Sequence, residues 1–136
     1  MKSTAIWQKG YQSVVDNGRN HSIMIDLPET KGGENTGPTA LELSIMGLTG
    51  CINTIFALMA EKMRIGFSAL KVELYAEQEQ GAATITDVDC ALHITSNALK
   101  EKIERCLEQT IKTCPVGVLF RQAGIEVTHE IILTQE

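Results

Sequence analysis

The chain has 136 residues, 43% of them hydrophobic and only 4% aromatic, with a net charge of −5 and a pI near 5.2. That length suits one domain, residues 1–136, with a core built from Ile, Leu, Val, Met and Ala. Phosphate recognition needs clustered Lys and Arg, and the twelve basic residues here are scattered, which argues against nucleic acid or an anionic membrane as the main partner.

The first ten residues hold no apolar core of signal-peptide length. The longest apolar region, 41–59, is interrupted by Glu42, Ser44, Thr49, Asn53 and Thr54, and reads as a buried helix and not a membrane span. A cytoplasmic location is expected. Thiols in that compartment stay reduced unless they are catalytic or sensing.

In chain order, Ala5-Ile6-Trp7, residues 11–15 and residues 22–26 are short β-type runs separated by turn chemistry at Gly10 and 16–20. They predict a three-stranded meander. Residues 27–38, rich in Gly and polar side chains, predict a mobile loop. A long helix follows. Thr36 or Thr39 is its candidate cap, and Glu42, three residues after Thr39, completes a capping box. Its apolar stripe is Leu41, Ile45, Leu48, Ile52, Ile55 and Met59, and other faces carry Leu43, Met46, Phe56, Leu58 and Ala60. A helix apolar on nearly every side needs cover on nearly every side, and a partner subunit is the simple source of it. The helix is expected to end near Gly66.

Residues 70–76 and 84–94 alternate as a half-buried hairpin, with a polar turn at 77–82. A second helix is predicted over about 97–112, with Leu99, Ile103, Cys106, Leu107 and Ile111 as its stripe. Pro115 stops it and suits the first position of a short helix over 116–121, which Gly124 closes. Residues 125–133 alternate as a last strand. The order predicts an α+β chain with antiparallel strands and excludes a doubly wound sheet.

The chemistry rests on four cysteines, Cys51, Cys90, Cys106 and Cys114, none in a C-x-x-C pair. Cys90 and Cys106 fall on core stripes. The three histidines show no ligand spacing, so no metal site and no cofactor are expected. Cys51 follows two helix positions that carry glycine, Gly47 one turn before it and Gly50 beside it. Each glycine costs a helix about 1 kcal/mol relative to Ala, and the missing side chains leave room for a substrate or a second chain to reach the sulfur. A core cysteine in a tight helix packing is the alternative. Cys114 precedes Pro115, which makes it a candidate N-cap whose sulfur faces unpaired N–H groups, a setting that favours thiolate. Arg19, in the 18–21 turn, is a candidate to hold a thiolate; a solvated turn arginine is the plain alternative.

The segments Gly37-Pro38-Thr39-Ala40-Leu41-Glu42-Leu43, Met46-Gly47-Leu48-Thr49-Gly50-Cys51 and Thr113-Cys114-Pro115-Val116 resemble the OsmC/Ohr family over essentially the whole chain. The resemblance implies an OsmC-like fold in which antiparallel sheets wrap a long central helix in an intertwined homodimer. It also implies peroxiredoxin-like chemistry in oxidative stress. A thiolate matching Cys51 attacks a small hydrophobic hydroperoxide and becomes sulfenic acid, Cys114 resolves it to a disulfide, and a lipoyl-type dithiol reduces the pair. An Arg from the N-terminal strands, matching Arg19, and a Glu before the long helix hold the attacking thiolate.

One position departs from that pattern. Peroxidase members carry N-P-E with the Glu ten residues before the first cysteine; here that position is Leu41, and the acid is Glu42. Nine helical residues turn by about 900°, which sets Glu42 opposite Cys51 and fits it to the helix start instead. The chain therefore resembles the OsmC-like branch more closely. A non-catalytic dimer that binds a small apolar ligand or senses oxidation is the alternative function, and an unrelated thiol transferase a third.

Overall fold

In the computed structural model, which describes residues 1–136, the N-terminal runs form the expected meander of β1 (Thr4–Lys9), β2 (Gln12–Asp16) and β3 (Ser22–Ile25), paired antiparallel in that order. The β2–β3 turn is built by side chains that imitate a backbone turn. Asp16 Oδ1 accepts from the Gly18 N–H at 2.7 Å, and Asn17 Oδ1 accepts from the Arg19 N–H at 2.9 Å.

The chain divides into two units, Met1–Ser44 and Ile45–Glu136. In the first unit the only buried residues are Gln12 and Asp26, both polar. The Asp26 carboxylate accepts from the N–H groups of Leu27, Glu34 and Thr36, from the Thr36 hydroxyl at 2.8 Å, and from Gln12 Nε2 at 3.3 Å. Burial by itself would raise the Asp26 pKa; the hydrogen bonds to the charged form outweigh it and hold the carboxyl at about 2. The loop expected to be mobile is thus wound around a carboxylate and contains a 3-10 turn at Glu29–Lys31. Gly33 and Gly37 allow the close approach this requires, because a Cβ at either would collide with the carbonyl of Leu27 or Met24. The Lys9–Glu34 ion pair ties β1 to the same loop.

Helix α1 (Ala40–Lys62) starts in a full capping box. The Thr39 N–H donates to Glu42 Oε2 at 2.7 Å, and the Glu42 N–H donates to Thr39 Oγ1 at 3.1 Å. Its buried stripe runs Leu48, Ile52, Phe56 and Ala60, steps of four, so Phe56 and Ala60 belong to the core face while Leu41 is exposed. The helix ends four residues before Gly66. Arg64 takes the left-handed position, and the Ile65 N–H donates back to the Ala60 carbonyl.

The second unit packs α1 against a sheet of β4 (Ala69–Glu77), β5 (Asp87–Thr95) and β6 (Val127–Thr134) and the helices α2 (Lys100–Thr113) and α3 (Pro115–Gln122). Val88, Cys90, Leu92 and Ile94 line the inner face of β5 and share one core with the α1 stripe and with Ile103, Cys106 and Leu107 of α2. The hairpin β4–β5 is antiparallel as expected, in register from Ala69↔Thr95 to Glu77↔Asp87. The expectation of antiparallel sheets throughout is corrected at β6, which pairs with β5 in parallel. A parallel neighbour needs a crossover of a dozen or more residues, which α2 and α3 supply; alternation within a strand is the same for either direction. Leu99, expected on the α2 stripe, is instead its N-cap and 74% exposed, and Thr110 takes a buried place. Gly124, in the left-handed region, closes α3 as expected.

Candidate functional site

Cys51 sits on α1 between the buried Leu48 and Ile52 and is itself half-buried. A Cβ built at Gly47 or Gly50 would meet nothing within 4 Å, so the space inferred from the two glycines is real. Cys114 occupies the junction of α2 and α3. Its N–H donates to the Thr110 carbonyl at 2.8 Å, so it ends one helix, and its Sγ accepts from the Gly117 N–H at 3.3 Å, so it caps the next. Pro115 at the first helical position has no N–H to satisfy. The site thus takes shape within the second unit, where the Cys51 and Cys114 thiols are close enough for each to affect the other's charge. Both are free thiols in this structure.

The expected preference of Cys114 for thiolate is reversed. The helix-cap geometry exists, but Cys114 is 0% exposed. Burial pushes its thiol up to about 11, the hydrogen bond and charge of Cys51 push the same way, and the N–H groups of Gly117 and Val116 pull back less strongly. Desolvation wins because one or two N–H dipoles recover only part of the hydration a thiolate loses. Cys114 therefore holds its proton at neutral pH.

Cys90 and Cys106 are core residues, as expected. Burial pushes both thiols up to about 11, and Cys106 Sγ lies 3.9 Å from the Phe56 carbonyl oxygen. Glu42 lies in the first unit, where its carboxylate is engaged by the Thr39 N–H at the helix start. Arg19 lies in that unit too, exposed in the β2–β3 turn, and its guanidinium makes no ion pair or hydrogen bond within the chain.

Two residues at the cysteine pair were not singled out from the sequence. Gly117 supplies the N–H to Cys114 Sγ, and a Cβ there would lie 3.4 Å from Cys114 Cβ and 3.5 Å from Sγ. Arg121 Nη2 donates to the Ile111 carbonyl at 3.0 Å and ties α3 to the end of α2 around Cys114. The spacing Cys114-Pro115-x-Gly117 carries the first signal, since an N-cap bonds the residue three further on. Nothing local marks Arg121.

The family model described as OsmC-like protein matches residues 32–130. Among solved structures, the chain is similar to an OsmC-like protein from Mycoplasma pneumoniae, with TM-score 0.86 and 16% identity over 98% of this chain and 96% of that one. It is similar also to an organic hydroperoxide resistance protein from Elizabethkingia anophelis, with TM-score 0.77 and 19% identity over 97% and 94%. A third is an organic hydroperoxide resistance protein OsmC from Legionella pneumophila, with TM-score 0.71 and 16% identity over 96% of each chain. At these identities the likeness shows the fold. No curated protein sequence matches the chain.

Proposed function

Because the chain belongs to the OsmC-like protein family, we propose that it reduces organic hydroperoxides through Cys51 and Cys114. The observation that carries this reading is the neighbouring pair of free cysteines, one half-buried and one sealed. The Cys51 thiolate attacks the terminal peroxide oxygen, the O–O bond breaks, and the alcohol leaves after taking up a proton. Cys51 becomes sulfenic acid. The Cys114 sulfur then attacks it, its proton leaves with the hydroxyl as water, and a disulfide forms. A lipoyl-type dithiol restores both thiols. The names of two similar structures, both organic hydroperoxide resistance proteins, support the substrate class.

The cation that holds the thiolate is Arg19, by the family resemblance; its guanidinium makes no ion pair within the chain. We also propose a cytoplasmic homodimer. Met46 and Leu58 on α1 and Ile6 and Trp7 on β1 are exposed apolar side chains that a second subunit would cover. Peroxide consumption with cumene and t-butyl hydroperoxide and a dithiol tests the activity. Wild type turns over, Cys51→Ser does not, and Arg19→Ala is slowed. Absence of turnover in wild type with both peroxides would sink the reading.

A second reading is favoured by one observation. Glu42 is bound into the cap and Leu41 stands where peroxidase members resemble one another in carrying an acid, so the pair would lack its carboxylate. An oxidation sensor would form the Cys51–Cys114 disulfide once per chain after mild peroxide, without sustained turnover, and a mass spectrum separates the two.

A further inference from the structure

We infer that an external thiol reopens the oxidised pair by attacking Cys51 Sγ and expelling Cys114, so that the mixed disulfide forms on Cys51 alone. The inference rests on the two-thiol reading above and assigns the direction of its return step. Thiol–disulfide exchange requires the attacking sulfur to reach one disulfide sulfur while the other departs, so access and leaving-group stabilisation choose the direction.

Access points to Cys51. Cys114 is 0% exposed, covered by residues of its own chain, and no subunit association can uncover it. Cys51 is only half-buried, and beyond the helix's own backbone and the flanking residues no atom lies within 4 Å of a Cβ placed at Gly47 or Gly50. Leaving-group stabilisation pulls both ways, so access decides. The electron pair released from the S–S bond would collect on Cys114 Sγ, where the Gly117 N–H already donates at 3.3 Å from the first turn of α3. Burial opposes that charge and slows the departure of Cys114, which the Gly117 N–H offsets in part. The departing sulfur then takes up a proton and returns to the thiol.

The external thiolate bonds to Cys51 Sγ as the Cys51–Cys114 bond breaks, and Cys114 leaves as thiolate and is protonated. A second thiol then displaces Cys51 as thiolate. Two external thiols are oxidised to a disulfide, and the protein pair is reduced.

The experiment closes the disulfide with diamide, so it needs no peroxide turnover. Oxidised full-length protein is mixed briefly with 2-mercaptoethanol, quenched in acid, unfolded, alkylated with N-ethylmaleimide and mapped by peptide mass. The expected result is mercaptoethanol on Cys51 and maleimide on Cys114. Mercaptoethanol on Cys114 overturns the inference and leaves the two-thiol reading intact. Failure of diamide to link Cys51 and Cys114 overturns both. As a second measurement, Gly117→Pro removes the donor N–H and should slow reduction roughly tenfold, the order expected for losing one hydrogen bond to a charged sulfur. Gly117→Ala keeps the donor and should be reduced faster than Gly117→Pro. Equal rates for the two variants overturn the role given to the Gly117 N–H.

Discussion

At the scale of single residues, two buried polar groups behave in opposite ways for one reason. Asp26 is buried with hydrogen bonds from five donors and stays ionised, while Cys114 is buried with weaker help and stays protonated. The consequence for stability follows from the sign of the Asp26 shift. Its folded value, about 2, lies below the ordinary 3.8, so its contribution is fully present above 3.8 and is lost as pH falls through 2. Asp26→Asn should therefore melt at a lower temperature than wild type above pH 4, and the difference should shrink towards pH 2. Thermal melts across that range check this. A constant difference would show that the charge on Asp26 contributes nothing.

At the scale of elements, the start of α1 and the loop before it depend on a few backbone contacts. Thr39→Ala removes one half of the capping box and should cost about 1 kcal/mol by denaturant unfolding. Gly37→Ala should cost more, because the new Cβ meets the Met24 carbonyl and the β3–loop contact must open. The reverse order of the two would mean that the loop shifts easily and that Asp26 does not pin it. The junction of α2 and α3 is likewise a single device: Cys114 ends one helix, caps the next and presents its sulfur to Cys51.

For the whole molecule, the distribution of apolar surface matters most. The hydrophobic core lies entirely within residues 45–136. Along α1 only one stripe is buried, although the helix is long and apolar enough by composition to cross a bilayer. In the first unit every residue of β1 after Thr4 is exposed, Trp7 at 69%. If a second copy covers these faces, sedimentation should give a dimer, and Leu58→Glu should shift it to monomer with loss of peroxide turnover. A monomer in wild type at micromolar concentration would remove the dimer from the proposal.

Local sequence signals marked most of the elements and singled out Cys51 and Cys114 as separate candidates. The Thr39–Glu42 box, Pro115 after Cys114 and Gly124 after α3 are local signals, because capping and turn chemistry act over three or four residues. The glycines beside Cys51 foretold open space for the same reason. Features that depend on distant neighbours came with the packed fold. The direction of β6, the membership of Phe56 and Ala60 in the core stripe, and the knot around Asp26 are set by packing partners far along the chain. So is the state of the Cys114 thiol. Its cap was legible, but the burial that overrides the cap is a property of the assembled core, and desolvation has no signature in a local sequence.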